Sequence, residues 1–441
     1  MFSAKSYAII RCALIIVFII FSSALAQSRR PSHDMVATTQ GRATIFEALV
    51  EIFRENYWDP SYRDWDAWAD TYRDAALNAT NRGAFDNVAR RMVLDLADDH
   101  SNWVGLVRFV EEPRSAVPAQ RGLGFQHEHL QGVGIVLNRV YPRTPAQEAG
   151  LMRGDVIVAV NGQDVRDLAD PRGSSRVFAT AVNDSTVTLE VRRRQELLSI
   201  DVVPAPVRFQ VVQQLPQGKM LDATTGYIYI PTFNSANVGR EVHTLVADLQ
   251  AQGARALVLD LRSNLGGRLS ELGLVLGAFV EGTWAQAVSR ESLAWESRYY
   301  VEQGVGHNLL ITPSGERVSE LSLESPSYFE GPVAVLVDSR NSSAGEVAPL
   351  VLQSMQRATV IGEPTTGNVE AIRGFDLPDG SLVMVAVANM QGVGGQSFDM
   401  GVQPDIISSS SIEELARGFD APVSEAMRVL KNLPFTPGRF F

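Results

Sequence analysis

The sequence predicts a multidomain α/β protein with a helical N-terminal segment, a compact β-rich module and a larger core in which strands alternate with helices. Three observations carry this reading. The chain has 441 residues, and at about 150 residues per domain that leaves room for about three domains. Hydrophobic residues make up 45% and charged residues 20%, the balance of a folded soluble chain, so neither a disordered nor a polytopic membrane protein fits. The spacing of apolar residues also changes character twice, near residue 110 and near residue 207. Lys and Arg number 39 against 50 Asp and Glu, a net charge of −11, which argues against a nucleic-acid partner.

Residues 1–26 read as a signal peptide. Lys5 and Arg11 precede the uncharged run Cys12 to Phe21, and Ser22-Ser23-Ala24-Leu25-Ala26 places small residues at the −3 and −1 positions of a cleavage site. The expected mature protein, cut after Ala26, is secreted or periplasmic. An uncleaved anchor is the alternative, but the run is short of the roughly 20 apolar residues that span a bilayer. Cys12 is the only cysteine, so cleavage removes disulfides, thiolate nucleophiles and cysteine-ligated zinc together.

Residues 41–110 are expected to be helical. Ile45, Leu49, Ile52 and Phe53 recur at helical spacing, and Trp65, Trp68, Tyr72, Val88, Met92 and Leu96 continue the pattern. The segment runs into the polar cluster Asp98-Asp99-His100-Ser101-Asn102-Trp103 and a Pro-containing link from Glu111 to Gln120, read as a domain boundary. Residues 121–206 hold short β-type runs at Gly134–Val140, Val156–Val160 before an Asn161-Gly162 turn, and Val187–Val191, with a short helical piece at Pro145–Gly150. From 207 to 441 the pattern is βαβ. Tyr227–Ile230 precedes a helix with Val238, Val242, Leu245, Val246 and Leu249 on one face; Ala256–Leu259, a second helical stretch, Val333–Val337 and a third helix follow. A largely parallel sheet with covering helices is the expectation.

Arg121-Gly122-Leu123-Gly124-Phe125, then Thr144-Pro145-Ala146-Gln147-Glu148-Ala149-Gly150-Leu151-Met152-Arg153-Gly154-Asp155, then Val160-Asn161-Gly162 together resemble a PDZ domain. Gly122–Phe125 alone reads better as an ordinary hairpin; the downstream pattern tips the balance. A Gly-rich turn can offer successive backbone N–H groups to a terminal carboxylate while the adjoining strand edge pairs with the peptide. The resemblance therefore implies Leu123, Gly124 and Phe125 as peptide-binding residues.

Two strand-to-turn motifs follow: Val258-Leu259-Asp260-Leu261-Arg262-Ser263-Asn264-Leu265-Gly266-Gly267, and Val333 to Asp338 running into Ser339-Arg340-Asn341-Ser342-Ser343-Ala344-Gly345-Glu346-Val347. With Gly362-Glu363-Pro364-Thr365, Asp379-Gly380 and Gly401-Val402-Gln403-Pro404-Asp405, they resemble the carboxyl-terminal processing (tail-specific) serine protease family and its tricorn-core relatives. The resemblance implies a crotonase-like (ClpP-like) α/β core, serine endopeptidase activity, polypeptide substrates recognised by their C-terminus, and no metal or organic cofactor. The family's Ser-Ala-x-Glu register makes Ser343 the nucleophile. A serine at a strand-to-helix turn sits beside free helix N-terminal N–H groups, and Ala344 and Gly266, with Gly267, are the expected oxyanion donors. The simpler reading is that Ser342 and Ser343 only cap a helix; the Asn264–Gly267 partner loop speaks for the nucleophile.

One departure matters. The processing proteases carry a lysine base 25 residues after the nucleophile, where this chain has Asn368, and the glutamine four positions beyond it is Ile372. Asparagine cannot take a serine proton, and the hydroxyl needs a base. The tricorn-like branch uses an upstream histidine and an acid before the terminal Gly-Val-x-Pro-Asp. His100 matches the first; Asp399 matches the second if one residue is deleted, with Glu370 and Asp99 as other orienting groups. The contrasting role for His100 is a structural hydrogen bond at a domain junction. His33, His127, His129, His243 and His307 fall in no motif, and His127 and His129, alternating on a strand, are expected on a solvated face rather than at a metal. A noncatalytic PDZ-containing scaffold is the rival reading, supported by Asn368 and Ile372. An acyl-transfer enzyme on the same core is a weaker third, since a small acyl substrate needs no peptide groove.

Overall fold

The computed structural model describes residues 35–98, 100–106, 119–168, 173–290, 292–365, 367 and 369–432. Residues 1–26, expected to be a signal peptide, and His33, Asp99, most of the Pro-containing link and Asn368 lie outside the described residues.

After a 3-10 turn at Met35–Ala37, three capped helices lead the described residues. Thr38 caps α1 (Thr39–Asn56), Asp64 caps α2 (Trp65–Leu77) and Asn81 caps α3 (Arg82–Leu94), each side-chain oxygen accepting from a first-turn N–H. Their apolar stripes bury Ile45, Leu49, Phe53, Trp68, Phe85, Val88 and Met92 in one cluster. The chain then enters β1 (Asn102–Leu106), a strand where a helical end was expected.

A short β2 (Gln120–Gly122) leads to β3 (Phe125–Leu130), β4 (Gly134–Val140), the single-turn α4 (Pro145–Glu148), β5 (Val156–Val160), β6 (Gln163–Asp164), α5 (Gly173–Ala181), β7 (Val187–Arg193) and β8 (Glu196–Val202). The sheet order is β3-β4-β5-β7-β8, so β3 is an edge strand. Ile135, Leu137, Ile157, Leu189 and Val191 form its core with Phe178 of α5. His127 and His129 correct the solvated-face expectation. Both are part-buried, His127 Nε2 lies 3.2 Å from Ser174 Oγ of α5, and His129 Nε2 lies 3.0 Å from the Val165 carbonyl, while Gln126 and Glu128 take the solvent side.

β9 (Ala205–Val207) pairs with β2 and hands over to α6 (Phe209–Val212), β10 (Gln217–Met220), β11 (Thr225–Tyr229), α7 (Val238–Ala251), β12 (Ala256–Asp260) and α8 (Leu269–Leu276). Four long strands follow: β13 (Gly282–Ser289), β14 (Ser292–Glu302), β15 (Val305–Ile311) and β16 (Arg317–Glu324). This antiparallel meander stands where sequence texture suggested only a helix between two parallel strands. Then come β17 (Val333–Val337), α9 (Ala344–Ser354), β18 (Ala358–Gly362), β19 (Ala371–Asp376), β20 (Ser381–Gln391), β21 (Ile406–Ile407), α10 (Ile412–Ala416) and α11 (Ala421–Asn432).

The core sheet runs β10-β11-β12-β17-β18-β21, parallel from β11 onward. Its central strands β12 and β17 are buried throughout, as both-face covering requires. A second, antiparallel sheet runs β1-β20-β13-β14-β15-β16, with β19 also on β20. The N-terminal helices bury their stripe against Val383 and Val385 of β20 and Trp103 of β1. No helix among the described residues is long and apolar enough to cross a membrane.

Candidate active site

Adjacent parallel strands β12 and β17 end side by side, with Asp260 opposite Leu336, and each runs into a turn. The two turns are laced together. Ser263 N–H and Oγ each donate to the Asp338 carboxylate at 2.8 Å, Ser342 N–H donates to the Asn264 carbonyl at 3.2 Å, and Asn341 Nδ2 donates to the Leu261 carbonyl at 2.7 Å. Fully buried Asn264 donates its amide to the Ile230 carbonyl at 2.9 Å. Unsatisfied, such buried amides would cost about 1–3 kcal/mol each, so these bonds hold the turns in one geometry.

Ser343 sits at the end of this lacing as the residue preceding α9, with φ 55° and ψ −132°. That is strained backbone for a residue with a side chain, of a kind that persists where the surroundings over-determine it. Gly266 approaches so closely that a Cβ there would lie 2.8 Å from Ser343 Cβ and 2.9 Å from Ala344 N. Ala344, the first residue of α9, has an N–H with no helical acceptor, at the positive end of the helix dipole. The donor set differs from expectation at one position. Gly266 N–H donates to Asn264 Oδ1 at 2.8 Å, so it is engaged within its own turn. Ala344 remains as the backbone donor beside Ser343, and Gly267, the next residue of the turn, is bridged to Phe233.

A second group of residues is held between the helical layer and the antiparallel sheet. His100 Nδ1 lies 2.6 Å from Glu370 Oε2, the side chains being 8% and 16% exposed. The Asp98 carboxylate shapes the turn, accepting from His100 N–H at 3.1 Å, Ser101 N–H at 2.8 Å and Ser101 Oγ at 2.6 Å. Ser101 Oγ in turn accepts from Ala386 N–H of β20 at 3.1 Å. With Nδ1 committed to the carboxylate, Nε2 is the nitrogen left for other chemistry. Among the described residues no hydrogen bond joins this ring to Ser343.

Asp399 is not part of this pair. It accepts from Asn389 Nδ2. The preceding Phe398 is 1% exposed in the core, and Gly401 folds back so that its Cβ position lies 2.6 Å from the Thr365 carbonyl. These neighbours fix where the Asp399 backbone runs, and its carboxylate meets β20 rather than the imidazole. Glu370, the alternative orienting group, occupies the place beside His100.

Glu346 links the two groups. It is 0% exposed and one helical turn beyond Ser343, and accepts from Thr365 Oγ1 and from Gly367 N–H at 2.8 Å. Thr365 Oγ1 also accepts from Val402 N–H at 2.9 Å. The helix that Ser343 precedes is thereby tied to Thr365 and Gly367, a few residues before Glu370. In the sequence Glu346 serves only to set the register of the motif, and Asp98 and Thr365 carry no assigned role. The signal for Asp98 was present, as an Asp two residues before a turn residue commonly accepts from the backbone ahead of it.

In the β-rich module the carbonyls of Leu123 and Gly124 are consumed locally, by Ala146 N–H at 2.8 Å and Tyr141 N–H at 2.9 Å. Gly124 has φ 98°, and a Cβ there would lie 2.3 Å from Thr144 Cβ. Edge strand β3 and α5 face one another, with Phe125 and His127 against Phe178 at ring separations of 5.0 and 5.1 Å. Burial pushes the His127 imidazole below its ordinary value. Among the described residues no group of three or more His, Cys, Asp or Glu converges on a metal-sized site.

Three segments match known families: residues 224–408 match peptidase family S41, residues 136–193 a PDZ domain, and residues 39–93 the tricorn protease C1 domain. The chain is 26% identical over 394 residues to the chloroplastic C-terminal processing peptidase of Tetradesmus obliquus, covering 84% of this chain and 78% of that protein. It is 28% identical over 326 residues, 68% of each, to the carboxyl-terminal-processing protease of Synechocystis sp.. Among solved structures, an S41 protease from Bacteroides fragilis NCTC 9343 superposes with a TM-score of 0.56 at 18% identity, over 87% of this chain and 97% of that one, a likeness of fold.

Proposed function

The chain belongs to the carboxyl-terminal processing serine protease family, and on that premise we propose that it is a secreted or periplasmic endopeptidase in which Ser343 attacks the peptide bond, His100 is the general base and Glu370 orients the imidazole. The observation that carries this reading is the 2.6 Å pairing of His100 Nδ1 with Glu370, in a chain whose family lysine position is Asn368. Ser343 Oγ adds to the scissile carbonyl as His100 Nε2 takes its proton; Glu370 stabilises the resulting imidazolium. The tetrahedral oxyanion is held by the N–H groups of Gly267 and Ala344, fixed before reaction by the laced turns. His100 returns the proton to the leaving amine as the C–N bond breaks; water then adds to the acyl carbonyl as His100 Nε2 takes its proton, and Ser343 Oγ leaves with that proton, freeing the carboxylic acid product.

The PDZ domain fits polypeptide substrates. In this reading the N–H groups of Leu123, Gly124 and Phe125 take the C-terminal carboxylate of the chain to be cut, and the free edge of β3 pairs with the residues before it. In this reading the secreted or periplasmic location rests on residues 1–26, whose sequence is that expected of a signal peptide.

The test is hydrolysis of an unstructured polypeptide with a free C-terminus. Wild type is expected to cleave it, Ser342→Ala to retain most activity, and Ser343→Ala to have none. Full activity in Ser343→Ala sinks the assignment. The second reading, a peptide-binding scaffold without catalysis, is favoured by Asn368 and Ile372 and predicts binding without cleavage in the wild type.

A further inference from the structure

A chain of ion pairs ends at the turn that carries Gly266 and Gly267. Arg262, the residue after the first Leu of that turn, donates from Nη1 to Asp420 Oδ1 at 2.8 Å and from Nη2 to Asp420 Oδ2 at 3.1 Å, a two-pronged grip. Its Nε donates to Asp260 Oδ1 at 2.9 Å, and Asp260 also accepts from Tyr227 Oη at 2.7 Å. On the far side Asp420 pairs with Arg153 of the PDZ domain. The chain is well shielded, the Arg262 side chain being 11% exposed, Asp260 2% and Asp420 20%. Burial acts against the charges of both Arg262 and Asp260, yet their mutual attraction prevails, holding Asp260 below and Arg262 above the ordinary range.

The location gives this chain a task. Asp260 ends β12, and Arg262 N–H itself donates to Asp260 Oδ1 at 3.1 Å. The next residue, Ser263, is the one tied to Asp338 of the serine turn. The backbone between Asp260 and Gly267 therefore has an ion-pair anchor at its start and the Ser343 lacing at its end. Asp420 comes from elsewhere, at the entrance to α11, after α10 has packed Ala416 against Val136 and Val156 of the PDZ sheet. Without its carboxylate, Arg262, Arg153 and Lys219 would share one neighbourhood with Asp260, an excess of positive charge that is costly where solvent is excluded.

We infer that Asp420 is a positioning residue for the oxyanion turn, acting through Arg262, with Arg153 joining the PDZ domain to the same anchor. The inference rests on the Ser343 reading above. The carboxylate neutralises Arg262, sets where β12 stops, and so sets where Gly267 N–H stands relative to Ala344 N–H. A shift of a few tenths of an ångström there weakens oxyanion binding without touching the peptide groove.

The test uses the full chain and measures the rate of Ser343 labelling by a small fluorophosphonate, with polypeptide hydrolysis alongside. Asp420→Asn is expected to label about tenfold more slowly or worse, and to lower kcat with KM unchanged, on the scale of losing alignment at an oxyanion donor. Asp420→Glu restores the charge and should recover most of the rate, and Arg153→Gln, which leaves the Asp420–Arg262 grip intact, should lose less than about threefold. The Asp420→Asn/Arg262→Gln double variant should be no slower than Arg262→Gln alone. Where Arg262→Gln does not fold, the Asn and Glu variants at 420 carry the test. Wild-type labelling in Asp420→Asn with only a lower unfolding midpoint overturns the inference, as does equal loss in Asp420→Asn and Asp420→Glu. A wild type that does not label overturns the Ser343 reading and this inference with it.

Discussion

The two halves of the candidate site are built on different principles. The Ser343 half is made from the ends of two neighbouring parallel strands, β12 and β17, joined by buried amide and backbone hydrogen bonds. The His100 half brings together residues 270 positions apart, and its geometry depends on β1 pairing with β20 and on three helices packing over both. The first half is stable with the core sheet. The second is as stable as the docking of the helical layer, so local opening there displaces His100, the proposed base, while leaving the Ser343 turn in place.

The largest effect expected from breaking this contrast is at the base. His100→Ala should lower kcat by about 10⁴- to 10⁶-fold, as loss of the histidine of a serine triad does, in a chain that still unfolds cooperatively by calorimetry. Gly266→Ala strikes the other half. The added Cβ falls on Ser343 and Ala344 N, at a backbone of φ 93°, so kcat should drop by about 10²-fold or more while the His100–Glu370 pair keeps its NMR signature. A rate near wild type for that variant would mean the Gly-Gly turn does not adjoin the reacting carbonyl.

Glu370→Gln and Asp399→Asn separate the two carboxylates. Loss of the orienting charge should cost about 10²- to 10⁴-fold in kcat at position 370, against less than about threefold at Asp399, which bonds Asn389 on the surface. The reverse ranking would return the orienting role to Asp399. The smallest effect concerns the PDZ groove. Burial lowers the folded pKa of His127 from 6.5, so the unfolded chain takes up its proton first as pH falls. Stability is therefore unaffected above about pH 6.5 and declines below it until the folded imidazole also protonates. His243 is shifted the same way by burial and adds to the decline. His127→Gln should show a shallower fall in unfolding midpoint between pH 7 and pH 5 than wild type, and an equal slope would place His127 outside that linkage.

The same contrast governs what could be read from the amino acids. β5 and β17 begin and end where their apolar runs do, because a strand covered on both faces must be apolar throughout. The Ser343 turn and the Gly-Gly loop were visible as motifs because each is one strand end and its own turn. The meander β13 to β16 escaped notice because its faces are mixed, as in β14, where Trp295, Ser297 and Tyr299 are buried between more exposed residues, and its partners lie in one another rather than in the parallel sheet. His127 and His129 misled for a related reason, since alternation says which residues share a face and not whether α5 covers it. At the base, a motif register pointed to Asp399, while Phe398 and Gly401 direct that backbone elsewhere, a tertiary fact with no local signal. Glu370 and His100 meet only when β19 and β1 have both found β20.

The most direct test of the central claim is mass-spectrometric mapping of fluorophosphonate adducts on the wild-type chain and on the Ser343→Ala, His100→Ala and Glu370→Gln variants. The account predicts one adduct on Ser343 in the wild type, none in Ser343→Ala, and adduct formation slowed by orders of magnitude in His100→Ala, with Glu370→Gln between. An adduct on Ser342 or another serine, or labelling of a folded His100→Ala chain at the wild-type rate, would contradict it.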